Sequence, residues 1–185
     1  MNRIKKYFLV VLLAITLLIL THYTYYYTTG NFHVVTKGEA YRSGQLNKDR
    51  LIACIKKYKL KSILNLRGKE QGALWYDDEL KICSDFDIQH YDVALSATRE
   101  ISEENIEYMV NVFQSAPRPI LIHCLAGADR SGFAAALWKV VVDKETEKEA
   151  QKQLSIIYGH LPFVKTKAMD KSFKKYMNSR LIYDH

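Results

Sequence analysis

The sequence predicts an α/β fold: a central mixed, partly parallel sheet flanked by helices, with an N-terminal transmembrane helix before it. Short apolar segments alternate with longer amphipathic segments from residue 32 onward, the pattern of alternating strands and helices. Residues 7–20 are apolar apart from Thr16. The 185 residues, 48% of them hydrophobic, suffice for one domain and an appendage. We therefore assign residues 1–30 to an N-terminal anchor and linker, and residues 31–185 to one folded domain.

The N-terminal segment has the charge pattern of a membrane signal. Arg3, Lys5 and Lys6 precede the apolar run, and no Asp, Glu, Lys or Arg occurs between Lys6 and Lys37. A helix over residues 7–27 is roughly 30 Å long, enough to cross a hydrocarbon core, and its tyrosines suit the interface. An uncleaved signal anchor is favoured because no A-x-A site follows; a cleaved signal peptide is the alternative.

The positive-inside rule predicts the side of the membrane on which the domain lies. The basic N-terminal residues stay cytoplasmic, so a single-pass anchor places the domain on the outer, periplasmic or extracytoplasmic side. Cleavage would instead release a secreted or periplasmic protein. The net charge of +7 falls to +4 without Arg3, Lys5 and Lys6. That modest excess suits anionic substrates, and we expect no nucleic-acid partner.

The three cysteines, Cys54, Cys83 and Cys124, contain no C-x-x-C pair, so a zinc ribbon or a thioredoxin-like site is not expected. We predict no metal site and no cofactor. A Cys54–Cys83 bridge stays open, beside the simpler interpretation of two buried small side chains.

The elements of the domain follow from apolar periodicity and from capping residues. Asn47 and Ser102 are typical N-caps, and Thr146 with Glu149 forms a capping box. A short linker over residues 28–31 leads into the domain. The predicted strands are residues 32–36, 40–45, 62–66, 88–95 and 120–123. The predicted helices are residues 48–58, 73–84, 103–115, 131–142, a helix from the capping box to about residue 159, and residues 166–177.

Residues 120–132, with the sequence ILIHCLAGADRSG, carry the chemistry. The predicted strand brings Cys124 to the carboxyl edge of the sheet, where open α/β folds bind ligands. A helix begins seven residues later, and its free N–H groups and dipole favour an anion. The backbone amides between can converge on one oxyanion, and Gly127 permits the conformation that this loop needs. The predicted phosphate-binding residues are Leu125, Ala126, Gly127, Ala128, Asp129 and Arg130.

Each side chain of the loop then has an expected role. The guanidinium of Arg130 binds two phosphate oxygens in a fork and stabilises the transition state. The positive environment favours the thiolate of Cys124, which can attack phosphorus and form a phosphocysteine. Ser131 can donate a hydrogen bond to the sulfur and make it a better leaving group. His123 is expected to support the loop through hydrogen bonds.

The segment His-Cys-x-x-Gly-x-x-Arg-Ser/Thr resembles the signature of the protein tyrosine and dual-specificity phosphatases, and His123, Cys124, Gly127, Arg130 and Ser131 match it. The segments YRSGQ at 41–45, NLRG at 65–68 and PILIHC at 119–124 are similar to bacterial dual-specificity-like members. The resemblance covers roughly residues 34–177. It implies a mixed sheet flanked by helices, no metal, and two-step hydrolysis of phosphate monoesters through Cys124, with residues 31–185 as the phosphatase domain.

The general acid has two candidates. Much of this family uses an aspartate some thirty residues before the cysteine, and Asp92 lies 32 residues before Cys124, but inside a predicted strand, where a solvent-facing residue is the simpler interpretation. Asp129 immediately precedes Arg130, a position to which some lipid-directed and bacterial relatives assign the acid role. We favour Asp129 and keep Asp92 as the alternative. Arg42 and Arg67 are expected to be structural or surface residues rather than substrate contacts.

The substrate is open at this point. The variable loop positions carry no lysine, which weakens the case for highly charged inositol lipids and favours protein phosphotyrosine or dual specificity. A phosphoinositide or inositol-phosphate phosphatase, and a catalytically inactive phosphate-binding module, are the alternatives. The expected partners are therefore a phosphorylated protein, phospholipid or inositol phosphate, and the membrane through the N-terminal helix.

Overall fold

A five-stranded mixed sheet forms the centre of the molecule. The structure, a computed structural model, describes residues 3–162 and 165–183. The strands are β1 His33–Thr36, β2 Ala40–Ser43, β3 Ser62–Asn65, β4 Gln89–Asp92 and β5 Ile120–His123. Their spatial order is β1-β2-β5-β3-β4, with β1 antiparallel to β2 and every other pair parallel. The predicted mixed, partly parallel sheet is confirmed, and β5 is its central strand.

Seven α-helices are described, and their caps agree with the sequence. They are α1 Arg3–Thr29, α2 Lys48–Tyr58, α3 Leu74–Asp85, α4 Glu103–Ser115, α5 Arg130–Val141, α6 Glu147–Ala150 and α7 Ala168–Tyr183. The side chains of Asn47, Ser102 and Thr146 accept hydrogen bonds from backbone amides three residues later. Each cap thereby satisfies one of the amides that a helix start leaves free.

The two faces of the sheet pack into separate apolar clusters because side chains alternate along a strand. Ile63 and Leu121 face α2 and α3, with Leu51, Ile55 and Ile82. On the opposite face, buried side chains of β3 and β5 pack against α4, α5 and α7, and this cluster includes Leu64, Ile120, Ile122, Phe113, Phe133, Trp138 and Phe173. Burial of α5 on nearly every side explains why its sequence, RSGFAAALWKVV, is apolar almost throughout.

Several predicted elements have other bounds in the structure; for example, α7 extends to Tyr183 rather than to residue 177. The predicted helix from Thr146 to about residue 159 is one α-turn, α6, followed by short 3-10 turns Gln151–Gln153 and Ile156–Tyr158. The strand predicted over 88–95 ends at Asp92. The predicted linker over 28–31 is mostly absent, because α1 continues to Thr29 and Asn31 is buried.

The helix α1 is apolar enough to enter a membrane. Arg3–Thr21 has a mean hydropathy of 2.2, none of it buried against the domain, and among the described residues it is the single helix of this character. A signal sequence near an N-terminus has the same properties, so α1 is a candidate for either role.

Cys54 and Cys83 are both free thiols, so the bridge left open by the sequence is not formed. Burial is the main cause that raises the pKa of Cys83, to about 12, and nearby Glu79 and Asp92 raise it further. Cys83 packs as a small apolar side chain beside Ile82 and Ile63.

Candidate active site

Cys124 lies at the carboxyl edge of the sheet, directly after its central strand. The neighbouring strands end level with β5, since Ser43 and Asn65 are both paired with His123. The Cys124 amide donates to the Ser43 carbonyl at 3.3 Å. Only 2% of Cys124 is exposed. Cys124 therefore lies at the carboxyl edge of the parallel strands, as the sequence predicted.

The first two backbone carbonyls of the loop after Cys124 accept hydrogen bonds from residues outside the loop. The Leu125 carbonyl accepts from the Gln45 amide at 3.0 Å, and the Ala126 carbonyl accepts from Nδ2 of Asn31 at 3.0 Å. Asn31 also donates to the Tyr158 carbonyl at 3.0 Å. Two segments that lie about 80 to 95 residues earlier in the chain therefore hold the loop.

The next two carbonyls are held by Arg42, which is fully buried. Its Nη2 donates to the Gly127 carbonyl at 3.0 Å and to the Ala128 carbonyl at 2.9 Å. Its Nη1 donates to the backbone carbonyl of Gln153 at 2.7 Å and to the side-chain oxygen of the same residue at 3.2 Å. The sequence left Arg42 as a structural or surface residue; it is a buried structural residue, which binds two carbonyls of the loop after Cys124.

Four successive carbonyls, from Leu125 to Ala128, thus accept hydrogen bonds from donors outside the loop. Peptide amides point opposite to their carbonyls, so carbonyls bound from outside are compatible with an anion-binding nest of N–H groups. The Gly127 amide already donates to Sγ of Cys124 at 3.3 Å. The start of α5 at Arg130 adds further free N–H groups to the same side.

Gly127 is required at its position for two reasons. Its φ is +74°, a conformation that side chains rarely adopt. A Cβ there would also lie 2.4 Å from the Gly44 amide nitrogen and 2.7 Å from the Ser43 carbonyl carbon. The loop and the end of β2 therefore pack backbone to backbone, and this contact positions the loop relative to the sheet.

The hydroxyl of Ser131 lies close to the thiol of Cys124. Its Oγ is 3.5 Å from Sγ of Cys124, and the serine is fully buried. An ionised sulfur can only accept, so the hydroxyl is the donor whenever Cys124 is a thiolate. This is the geometry that the sequence predicted for Ser131.

Arg130 is anchored on one edge of its guanidinium. Nη1 donates to the carbonyls of Leu95 at 3.2 Å and Leu66 at 3.4 Å, which follow β4 and β3. Nε is buried and has no hydrogen-bond partner among the residues that the structure describes. A buried donor without a partner is costly, so Nε is suited to a ligand oxygen.

His123 supports the loop through a buried carboxylate. Its Nε2 is 3.1 Å from Oε1 of Glu79, which also contacts Nε2 of His90 at 2.9 Å. Gln45 donates to the other oxygen of Glu79 at 3.1 Å. Burial acts to raise the pKa of Glu79, but the charges and hydrogen bonds of His123 and His90 outweigh it and the pKa is lowered overall. Glu79 was not singled out from the sequence.

Asp92 is held by its neighbours at the end of β4. It accepts from the hydroxyl of Tyr76 at 2.7 Å and from Nδ2 of Asn65 at 2.8 Å, and it lies 3.5 Å from Nδ1 of His90. Its side chain is only 9% exposed. The interpretation of Asp92 as a solvent-facing strand residue is therefore wrong, since a polar cluster encloses it.

Asp129 belongs to a second polar cluster, which includes a buried histidine. Its Oδ1 is 2.7 Å from Nδ1 of His160, whose Nε2 is 2.8 Å from Oδ2 of Asp170. His160 is fully buried. Neither His160 nor Asp170 was predicted as a site residue, because they lie 29 and 39 positions after Ser131, the last residue of the signature, in segments that carry no site motif.

Arg67 forms the rim of the site on the α3 side. Its guanidinium carbon lies 3.5 Å from the ring centroid of Trp75, and Nη1 donates to Oε1 of Gln45 at 3.1 Å. Nη2 is 3.4 Å from Glu70. The stacked guanidinium agrees with a structural role for Arg67 at the wall of the cleft.

Within residues 3–162 and 165–183, no group of three or more His, Cys, Asp or Glu side chains is placed to hold a metal ion.

The sequence model of the tyrosine phosphatase family matches residues 24–152, more than half of the chain. The chain belongs to the tyrosine phosphatase family. A search of curated proteins finds no match.

Solved structures of other phosphatases share the fold of this tyrosine phosphatase family member. TpbA of P. aeruginosa is 18% identical, with a TM-score of 0.63 over 80% of this chain and 86% of that one. The core catalytic domain of the PP-IP phosphatase SIW14 of S. cerevisiae is 21% identical, with a TM-score of 0.62 over 83% and 93%. PTPMT1 is 13% identical, with a TM-score of 0.61 over 81% and 98%.

Proposed function

We propose that the chain hydrolyses phosphate monoesters in two steps through a phosphocysteine formed on Cys124. The observation that carries the proposal is that donors outside the loop bind its carbonyls from Leu125 to Ala128, while the Gly127 amide donates to Sγ of Cys124. A phosphate dianion beside the sulfur would meet the loop amides and the Nε edge of Arg130. The sulfur lies beside the same loop, within 3.3 Å of the Gly127 amide.

In the first step the thiolate attacks phosphorus and the bond to the leaving oxygen breaks. Asp129 gives its proton to that oxygen. In the second step water attacks phosphorus, Asp129 takes a proton from the water, and the sulfur–phosphorus bond breaks to return the thiolate. The Ser131 hydroxyl, 3.5 Å from Sγ, stabilises the departing sulfur.

We assign the acid role to Asp129 because its environment suits proton exchange better than that of Asp92. Asp129 immediately precedes Arg130, and its side chain is 19% exposed. Its carboxylate also contacts His160, a residue that can bind a proton. Asp92 is 9% exposed and both of its oxygens are engaged by Tyr76 and Asn65. His160 is proposed to position Asp129 through this contact, while the water of the second step returns the proton that Asp129 gives up.

The substrate that we propose is a phosphorylated protein, with phosphotyrosine or dual specificity. The variable loop side chains Leu125, Ala126 and Ala128 are apolar, which suits an ester on a large apolar group better than a polyphosphate. A variant of TpbA has been solved in complex with pTyr. The second candidate is an inositol phosphate, because the fold is also that of the PP-IP phosphatase SIW14.

Turnover of para-nitrophenyl phosphate by the full chain in detergent tests the activity. Cys124→Ser is expected to reduce it to the background rate, while Cys54→Ser, a half-buried cysteine away from the loop, keeps the parent rate. Acid quenching of the parent with radiolabelled substrate should trap phosphate on Cys124. A parent chain that binds phosphate without turnover would instead support the inactive binding module. A panel of phosphopeptides and inositol phosphates at matched concentrations separates the two substrate classes.

We further propose that α1 is an uncleaved single-pass anchor, that residues 31–185 form the phosphatase domain, and that this domain lies on the outer side of the membrane. The three basic residues before the apolar run support this orientation. Protease added to intact cells is expected to digest the domain, and mass spectrometry is expected to find residues of α1 in the mature chain. A protected domain would overturn the orientation, and a mature N-terminus beyond α1 would overturn the anchor.

A further inference from the structure

Three exposed apolar side chains surround the mouth of the catalytic loop. Leu125, inside the loop, is 61% exposed, and Ile156 and Ile157 of the adjacent 3-10 turn are 63% and 72% exposed. We call these three residues the apolar rim. Single exposed apolar residues are common on protein surfaces, but a group at one opening marks a surface that contacts something apolar.

The apolar rim faces α1 across a cavity of about 1080 Å³. On the helix side the cavity is lined by Leu18 and Ile19, which belong to the apolar run and are 70% and 61% exposed. None of its described lining residues is acidic, and Arg50 is among them. The catalytic mouth and the apolar part of α1 therefore share one open space.

The connection between α1 and the catalytic loop is too short to let them separate. α1 ends at Thr29, and Asn31 is already buried, with Nδ2 bonded to the carbonyls of Ala126 and Tyr158 at 3.0 Å. Two residues span at most about 7 Å when fully extended. The loop, and the 3-10 turn that contains Ile156 and Ile157, are thus tied to the end of α1.

We propose that the apolar rim lies on the surface of the bilayer that α1 crosses, so that the catalytic mouth opens at the level of the lipid headgroups. Lipid is the occupant because Leu18 and Ile19, one wall of the cavity, must themselves face acyl chains when α1 spans the membrane. The contact continues that apolar surface onto the domain. Arg50 adds a cation of the kind that phosphate headgroups attract. The inference rests on α1 as an uncleaved anchor and not on turnover.

A tryptophan placed on the rim tests the contact directly. The full-length Ile157→Trp chain is reconstituted in phosphatidylcholine vesicles with ordinary or brominated acyl chains, because bromine quenches indole fluorescence at contact. Leu74→Trp is the matched control, since Leu74 is 78% exposed but does not line the cavity. The signal of the unsubstituted chain, with Trp75 and Trp138, is subtracted from both.

The added fluorescence of Ile157→Trp is expected to fall at least twofold in brominated vesicles, while that of Leu74→Trp stays unchanged. Equal quenching at both positions, or none at Ile157→Trp, would overturn the proposal. Quenching at Ile157→Trp that disappears as the protein-to-lipid ratio rises would indicate a second copy on the rim and would also overturn it. Circular dichroism checks the fold without reference to turnover, so this experiment and the phosphatase assay fail independently.

Discussion

Nδ1 of His160 lies 2.7 Å from Oδ1 of Asp129, and the second ring nitrogen lies 2.8 Å from a carboxylate oxygen of Asp170. An imidazole that donates to two carboxylates carries both protons. Burial acts to lower the pKa of His160, but the hydrogen bonds and charges of Asp129 and Asp170 outweigh it, and the pKa is raised. The contact with His160 therefore holds Asp129 in place at the start of α5.

The first prediction is a pH-dependent stability from His160. A histidine whose pKa is raised on folding stabilises fully below its unfolded pKa of about 6.5, and this contribution is lost as pH rises through the folded pKa. The excess Tm of the parent over His160→Gln should thus be largest near pH 5.5 and shrink toward alkaline pH. Thermal unfolding of the full chain in detergent measures it.

His33 provides a control of opposite sign. Burial, and secondarily the charge of Arg42, lowers the pKa of His33. A lowered pKa gives stability that is present above the unfolded pKa and lost as pH falls through the folded pKa. The difference between the parent and His33→Gln should therefore grow with pH. Parallel curves for the two variants would contradict the assignment of His160 as the protonated residue.

The second prediction separates the two candidate acids by the leaving group. Asp129→Asn should lower kcat/KM, which reports the first step, about 10²-fold on phenyl phosphate, whose phenolate is a poor leaving group, and much less on para-nitrophenyl phosphate. Asp92→Asn should change the two rates by the same factor, because its role is to accept from Tyr76 and Asn65. A leaving-group effect confined to Asp92→Asn would exchange the two roles.

The third prediction compares two glycines with the same backbone strain and different surroundings. Gly127 has φ +74° and an added Cβ 2.4 Å from the Gly44 nitrogen, whereas Gly38 has φ +79° and nothing within 4 Å. Both alanine variants carry the left-handed strain of about 1–2 kcal/mol. Only Gly127→Ala should also move the loop and lose affinity for orthovanadate, by at least tenfold in competition with substrate. Equal losses for both variants would mean that the backbone contact is unimportant.

The fourth prediction concerns Arg42, whose removal leaves buried carbonyls unpaired. Arg42→Met should lower the free energy of unfolding by about 3 kcal/mol or more, because each buried acceptor without a partner costs about 1–3 kcal/mol. Lys81→Met is the control, since Lys81 and Asp85 form an ion pair whose side chains are 66% and 53% exposed, and such a pair is worth under about 1 kcal/mol. Urea unfolding of both variants measures the difference. Equal decreases in the free energy of unfolding would argue against a stabilising role for the hydrogen bonds from Arg42 to these carbonyls.

Much of the fold was predictable because its signals are local. The caps at Asn47, Ser102 and Thr146 are each read within four residues of sequence, and all three are confirmed. The strand before Cys124 is a short apolar run bounded by Pro119, and it is confirmed as β5. The loop residues of the signature meet within eight positions of each other, so spacing alone brings the thiol and Ser131 together.

The polar partners of the loop were not predictable, because their contacts cross long stretches of chain. Arg42 meets carbonyls 85 and 86 residues later, and Gln153 lies 111 residues later. His160 joins Asp129 across 31 residues. No periodicity or spacing rule connects such positions. The sequence shows only that Arg42 lies in a predicted strand. Its burial and its partners are known only from the assembled structure.

The shortness of α6 has the same origin. The sequence after Thr146 has good helix formers, but the Gln153 carbonyl accepts from Arg42 at 2.7 Å, and Leu154 adopts φ −100° and ψ 73°. A charged hydrogen bond in the interior outweighs a few tenths of a kcal/mol of helix propensity per residue. The helix α6 therefore ends shortly before Gln153, whose carbonyl is bound by Arg42.

The direction of the catalytic loop is imposed by donors that are not part of the signature. Asn31, Arg42 and Gln45 orient the carbonyls that follow Cys124. A fragment that begins after Gln45 would contain every signature residue and still lack an assembled anion site. The smallest unit that could carry out the proposed chemistry thus includes the first two strands of the sheet, because the loop after Cys124 depends on residues from both ends of the domain.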